Sequence, residues 1–356
     1  MKILVTGAAG FIGSFVAERF AKDGHIVVGI DNLSNFYDIS LKRARLDRIS
    51  VYQNFSFHLV DITDAGLMSG LFAENKFDYV IHLAGQPSVQ HSKKDPISYV
   101  NSNILGMLQV LENCRIYGVR HLVYASSSSV YGDSKGSKIT EDSDTDSPLS
   151  IYAVTKKTNE LMAHTYSHIY QLPTTGLRLF SVYGPWGRPD MAPYIFTKAI
   201  LDGVTVNIYG DGSNERAFTY IDDVVEVISQ IYEKFPGADV ARETEKYVGV
   251  PFKILNVGGS TAIRIDELIA AIEAEVDLKA KIKFHAPKTG DAKKLDCDSA
   301  LMQSLIEFPN YTEIASGIAK FVQWYKSYCH RETKHTSVSN TVAPSICRES
   351  NGQFAY

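Results

Sequence analysis

Seven residues near the start of the chain, Gly7-Ala8-Ala9-Gly10-Phe11-Ile12-Gly13, constrain its fold more than any other stretch. They follow a short apolar run, Lys2–Thr6, and open a helix-like pattern over 12–23. Glycine permits a tight turn and a close approach of backbone to ligand. The first turn of a helix adds unpaired N–H groups and the positive end of its dipole. Together these make a cradle for a pyrophosphate, with Phe11 and Ile12 among its contacts. The next apolar run, Ile26–Asp31, ends on an acid. A carboxylate there can accept hydrogen bonds from adenosine ribose hydroxyls and would repel a 2′-phosphate. Asp31 alone could be a turn or capping residue. Strand, glycines, helix, strand and acid in that order predict one βαβ unit that binds NAD in preference to NADP.

The same alternation continues. Short apolar runs at Phe55–Leu59, 79–83, 121–125 and Thr174–Leu179 are separated by helical patterns such as 99–117 and 152–170. The runs show little polar alternation, which suits strands covered on both faces of a parallel sheet. The expected architecture is therefore an α/β, doubly wound parallel sheet (Rossmann) over residues 1–180, with a smaller C-terminal substrate domain over 181–330. Chain returns to the sheet near Ile221–Ile231 and Phe252–Val257. The stretch 181–190 holds Gly184, Pro185, Gly187 and Pro189 and reads as a loop. From 331 to 356 the chain is polar with few large apolar residues and is expected to be poorly ordered.

Composition excludes several classes of function. A net charge of −4 gives no electrostatic reason to bind nucleic acid or an anionic membrane. An anionic substrate must then be held by a local cluster of Arg, Lys and backbone N–H groups. Cys114, Cys297, Cys329 and Cys347 are scattered, which argues against a zinc site or a disulfide framework. No apolar run is long enough for a bilayer span, and the short apolar N-terminus does not read as a signal peptide, so the expected location is cytoplasmic.

Tyr152 and Lys156 stand at i and i+4, on one face of a helix. Tyr131/Lys135 and Tyr194/Lys198 share the spacing, so context decides. Only Tyr152 opens a long helix in the cofactor domain, shortly after the hydroxyl run Ser126-Ser127-Ser128-Ser129 at the end of a buried strand. A free phenol has a pKa of about 10 and is a poor base at neutral pH. A nearby lysine cation and a cationic nicotinamide favour phenolate, and a serine hydroxyl can bridge phenol and substrate.

With Gly7, Gly10 and Gly13, the serine run before Val130-Tyr131-Gly132, and Tyr152/Lys156, the chain resembles the extended short-chain dehydrogenase/reductase family. Within it the chain looks like the nucleotide-sugar epimerases over about residues 1–325. Stretches 152–170 (YAVTKKTNELMAHTYSHIY) and 183–198 (YGPWGRPDMAPYIFTK) are similar to the UDP-glucuronate 4-epimerase branch. The resemblance implies that Ser127 is the catalytic Ser/Thr beside Tyr152 and Lys156. It places Asp61 and Ile62 at the adenine, Ala84 and Gly85 by the cofactor phosphates, and Asn32, Leu83, Asn103 and Phe180 among the other cofactor-side positions. It assigns Arg216 to the UDP pyrophosphate, with Lys288 and Asp291 also on the substrate side. Ala217 stands where the family commonly has Asp, Gly85 where Ala is usual, Ser181 in place of Thr or Asn, and Lys288 in place of a frequent Arg. Gly210-Asp211-Gly212 follows the general epimerase pattern. In this family the helices corresponding to 99–117 and 152–170 pair into a four-helix bundle, which implies a homodimer.

Family members that eliminate water or CO₂ carry acidic residues before Val-Tyr-Gly, where this chain has Ser128-Ser129. Without that carboxylate the expected continuation, after Tyr152 deprotonates the sugar 4-hydroxyl, is rotation of a 4-keto sugar and hydride return. That is 4-epimerisation of a UDP-sugar. Arg188, aided by Ser127, Ser128 or Ser181, would receive the carboxylate of UDP-glucuronate; the alternative is a surface arginine that orders its loop. A 4-epimerase of UDP-N-acetylglucosamine or UDP-glucose, or a net nucleotide-sugar dehydrogenase, remains the competing reading.

Overall fold

The computed structural model describes residues 1–133, 138–234, 249–259, 262–287, 294–308 and 310–336. The amino-terminal part builds strands β1 (Lys2–Thr6), β2 (Ile26–Asp31), β3 (Phe55–Leu59), β4 (Tyr79–His82), β5 (His121–Ser127) and β6 (Thr174–Leu179). Helices α1 (Phe11–Lys22), α2 (Ile39–Ile49) and α3 (Ala65–Asn75) connect the first four. Two short helices, α4 (Val89–Ser92) and α5 (Pro96–Tyr99), lead into α6 (Gly106–Ile116), and α7 (Ile151–Tyr170) joins β5 to β6. Local chemistry sets the helix starts: Asp38, Asp64 and Ser150 each accept a backbone N–H of the first turn of α2, α3 and α7.

Beyond β6 come β7 (Ser181–Tyr183), α8 (Ala192–Leu201), β8 (Thr205–Tyr209), β9 (Glu215–Tyr220) and α9 (Ile221–Ile231). They are followed by β10 (Phe252–Val257), β11 (Ala262–Arg264), α10 (Ile265–Val276), β12 (Lys281–His285), β13 (Lys294–Leu295), α11 (Ala300–Leu305) and α12 (Ile314–Thr336). The main sheet has seven parallel strands in the order β10-β6-β5-β4-β1-β2-β3. The order reverses at β1, between β2 and β4, so the crevice outside the strand ends opens there. A smaller sheet, β11-β9-β13 with β7 on β9, and the parallel pair β8/β12 form the second lobe. One apolar core runs from Ile3, Val5 and Phe11 into Val206, Ile272 and Phe321, so the two lobes are fused.

Several expectations need correcting. The return at Ile221–Ile231 is a helix laid on α1, tied by Arg19–Glu226 at 2.6 Å, and not a sheet strand. Its β-branched residues fall at helical spacing behind Asp222 and Asp223, which favour a helix start. Phe252–Val257 does join the sheet, at the β6 edge. The loop expected over 181–190 begins only at Gly184, because Val182 and Tyr183 are buried strand residues in register with Thr219 and Tyr220. The single helix expected over 99–117 is interrupted by a π-helical segment, Val100–Leu105. Helix α12 runs to Thr336, into the stretch expected to lack order.

Candidate active site

A cleft of about 770 Å³ runs along the ends of the main sheet, of a size that takes an organic ligand. At one end lies the glycine turn. A Cβ on Gly7 would stand 2.8 Å from the Ala84 nitrogen, and one on Gly13 only 2.0 Å from the Gly7 carbonyl oxygen. Neither glycine can carry a side chain without opening the turn. Gly10 caps α1 with no side-chain hydrogen bond, so the helix entrance faces the cleft uncovered. These features fit an anionic dinucleotide. Thr6 Oγ1 accepts the N–H groups of Leu83 and Ala84 at 3.2 and 3.1 Å, holding that wall of the cleft against β1.

Asp31, Asn32, Ile62, Leu83, Ala84, Gly85 and Phe180 also line the cleft. Asp31 accepts the Leu33 N–H at 2.8 Å and meets the buried Lys42 ammonium at 3.3 Å. Lys42, on α2, was not foreseen; eleven residues and a loop separate it from Asp31, and no periodicity links them. Asp61 and Asn103 do not line the cleft but are hydrogen-bonded to residues that do, Asn32 and Gln86. Asp61 is held between the Asn32 amide at 2.8 Å and both donors of Thr63. Asn103, buried in the π-helical segment, accepts the Gln86 N–H at 2.7 Å and donates to Thr155 Oγ1 at 3.0 Å. It braces the chain after Gly85 against α7.

Tyr152, Lys156 and Ser127 meet in the middle of the cleft. Ser150 caps α7 and sets Tyr152 in its first turn. Burial raises the Tyr152 pKa, while the Ser127 hydroxyl and the Arg188 charge oppose that rise. The Lys156 ammonium lies 6.0 Å from the Tyr152 ring centre and donates to the Ala125 carbonyl at 2.9 Å. Burial pushes its pKa down to about 8. The next residue of β5, Ser126, donates to Glu160 at 2.6 Å, and Glu160 forms a buried bidentate pair with Arg178 at 2.9 Å. Helix and strand are thus joined at consecutive residues, which fixes tyrosine and serine relative to each other.

The competing pairs are accounted for. Tyr131 is buried, accepting from Arg178 at 2.8 Å and donating to Asn256 at 2.6 Å, and its partner Lys135 lies outside the described residues. Tyr194 is buried against Phe321 and Trp324, while Lys198 pairs with Asp202.

On the substrate side Ser128, Ser181, Arg188 and Arg216 line the cleft, with Ser181 on β7 and Arg216 on β9. Two of the Arg188 nitrogens are already engaged: its Nε and Nη2 grip Asp190 at 2.9 and 2.5 Å. Lys288 and Asp291 lie outside the described residues. Among the described residues no group of His, Cys, Asp and Glu could hold a metal ion.

The fold and site together define a dinucleotide-binding enzyme with a tyrosine–lysine–serine centre. Residues 3–243 match the NAD dependent epimerase/dehydratase family, and the chain belongs to it. It is 42% identical over 335 residues to Protein CapI of Staphylococcus aureus, covering 92% of this chain and 99% of that one. It is 41% identical to UDP-glucuronate 4-epimerase 1 of Arabidopsis thaliana, covering 94% of this chain and 79% of that one. Among solved structures, UDP-glucuronic acid 4-epimerase from Bacillus cereus in complex with UDP-glucuronic acid and NAD superposes with a TM-score of 0.82. That match has 33% identity and covers 92% of this chain and 100% of that one.

Proposed function

We propose that the protein is an NAD-dependent 4-epimerase that converts UDP-glucuronate to UDP-galacturonate. The observation that carries this reading is one cleft holding the glycine cradle, the Tyr152–Ser127–Lys156 centre and Arg188. Among the described residues, the acids lining it are Asp31 and Asp190, and Asp190 is already bound by Arg188. Relatives and a solved structure named for this activity support it.

Gly7, Gly10, Phe11, Ile12 and Gly13 would hold the NAD pyrophosphate, with Asp31, Asn32 and Lys42 at the adenosine ribose. Bound there, NAD supplies the acceptor, and later the donor, for the hydride at sugar C4. Tyr152, as phenolate, takes the 4-hydroxyl proton, with Ser127 bridging the two oxygens, and the Lys156 cation stabilises the phenolate. Arg216 clamps the UDP diphosphate, a task suited to a guanidinium fork. The keto sugar turns, and Tyr152 returns its proton to the epimeric alkoxide. A 4-keto glucuronate is a β-keto acid that loses CO₂ readily. Arg188, Ser128 and Ser181 would hold its carboxylate out of line for that loss.

One observation favours a second reading, 4-epimerisation of a neutral UDP-hexose: Asp190 already occupies two donors of Arg188. Incubation of the purified protein with UDP-glucuronate, UDP-glucose and UDP-N-acetylglucosamine distinguishes them. UDP-galacturonate from the first is expected; turnover of only the neutral sugars would leave 4-epimerisation standing and remove the glucuronate assignment.

A homodimer through α6 and α7 is part of the proposal. Leu108 and Ile116 on α6, and Val154, Leu161 and Ile169 on α7, expose apolar surface that a second copy would cover. A monomeric mass by light scattering at micromolar concentration would contradict it. Cytoplasmic residence is likewise proposed, in keeping with the buried free thiols of Cys114 and Cys297. Among the described residues no helix is long and apolar enough to cross a membrane.

A further inference from the structure

Arg45, on α2, heads the fully buried side chains by volume among the described residues, yet it does not line the cleft. Every hydrogen bond its guanidinium makes among the described residues goes to a neutral oxygen. Nε and Nη2 reach the Trp186 carbonyl at 3.1 and 2.5 Å, and Nη2 also reaches the Gly187 carbonyl at 3.4 Å. Nη1 donates to the Ala9 carbonyl at 3.2 Å and to the Tyr37 hydroxyl at 2.5 Å. Burying a guanidinium with no carboxylate partner is unfavourable. Here the fork spans two places that matter: Ala9 belongs to the cofactor cradle, and Trp186 and Gly187 immediately precede Arg188.

The loop itself needs holding. Trp186 stands at φ 64°, a conformation that bulky residues rarely adopt and that persists only where surroundings impose it. Its ring lies 5.5 Å from those of Trp324 and Tyr328, which fixes the side chain but leaves the carbonyl to be secured. Tyr37, held by Arg45, lines the cleft and lies within electrostatic reach of Arg188.

We propose that Arg45 is the positioning residue for Arg188, fixing the carboxylate-reading loop to the cofactor cradle through the Trp186, Gly187 and Ala9 carbonyls. This rests on the reading of Arg188 given above. Arg45 does not line the cleft, so its loss should remove the preference for an acidic sugar without removing affinity for the nucleotide.

The test is calorimetric binding of UDP, UDP-glucose and UDP-glucuronate to the NAD-loaded protein and its variants. In Arg45→Met, UDP affinity should stay within about twofold of wild type. Preference for UDP-glucuronate over UDP-glucose should fall about 30-fold or more, as in Arg188→Ala, and the double variant should lose nothing further. If Arg45→Met does not fold, Arg45→Lys keeps charge and stem. A single ammonium cannot span both carbonyl groups, so a smaller loss in the same direction is expected. Equal losses for all three ligands would overturn the proposal in favour of a general structural role. Preference retained in the Arg45 variants but lost in Arg188→Ala would overturn it as well. Preference retained in Arg188→Ala would instead refute the carboxylate reading on which the proposal rests.

Discussion

Replacing Lys156 with methionine should make the protein more stable and nearly inactive. The ammonium is buried, donates to one backbone carbonyl, and has no carboxylate partner among the described residues. Burial lowers its pKa from 10.5 to about 8. At 1.36 kcal/mol per pKa unit, that is about 3 kcal/mol against the cation in the folded state. The sign follows from linkage: the folded protein holds this proton less tightly than the unfolded chain. The cost is therefore fully present below about pH 8 and fades as pH rises toward 10.5. Methionine fills a similar space without charge, and the lost hydrogen bond offsets about 1–1.5 kcal/mol. Urea unfolding near pH 7, with cofactor content matched, should show Lys156→Met more stable by about 1–3 kcal/mol, and the gain should shrink near pH 10. A variant less stable than wild type, or a gain unchanged by pH, would show that the buried ammonium carries no such cost.

The same substitution should move the pH profile. The protonated phenol–ammonium pair contains no base, and loss of one proton gives a singly protonated pair whose phenolate–ammonium tautomer is the active form. The apparent pKa of that step belongs to the pair and cannot exceed the lower of the two, about 8. Wild-type kcat/KM should therefore rise with pH to a plateau with an apparent pKa at or below about 8. In Lys156→Met the rise should move above the ordinary tyrosine range, because burial raises the Tyr152 phenol.

Four further substitutions test the remaining roles. Tyr152→Phe should lower turnover by about 100- to 10,000-fold with unfolding little changed. Tyr131→Phe leaves Arg178 and Asn256 without their shared hydroxyl and should cost about 1–3 kcal/mol of stability while sparing kcat; equal kinetic damage from both would mean the wrong tyrosine. Asp31→Ala should weaken NAD binding and improve NADP binding in calorimetry, because Lys42 at 3.3 Å from the acid is freed to meet a 2′-phosphate. Wild-type protein that binds both cofactors equally would show that Asp31 does not select. Arg188→Ala should cost UDP-glucuronate turnover about 2–4 kcal/mol in kcat/KM and release some decarboxylated pentose nucleotide, with a neutral UDP-hexose much less affected. Equal losses on charged and neutral sugars would assign Arg188 to the loop alone.

Much of the fold could be read directly because its signals are local. Strand, glycine turn, helix and acid lie within the first 31 residues, and the apolar runs of β3 and β6 appear at the same bounds in the structure. Tyr152 was separable from Tyr131 and Tyr194 because helix context, and not spacing, distinguishes a cleft residue from a core one. What escaped depends on tertiary placement. Lys42 reaches Asp31 only once α2 folds back over the cradle. Asp190 lies two residues from Arg188, but sequence cannot say that its carboxylate turns inward to grip the guanidinium. In Ile221–Ile231 the β-branched residues favour strand by propensity, while their helical spacing and the α1 surface decide for helix. The π-helical turn around Asn103 leaves no mark in the apolar pattern of 99–117.

The proposed reaction is oxidation at C4 followed by hydride return to the other face, with Tyr152 handling the proton and no carbon acid formed at C5. The most direct measurement is to run UDP-glucuronate with the NAD-loaded protein in deuterium oxide and follow substrate and product by NMR. UDP-galacturonate is expected to carry no solvent deuterium at C4 or C5, with no net reduction of NAD. Deuterium at C5, a pentose as the main product, or stoichiometric formation of NADH would contradict the proposed reaction.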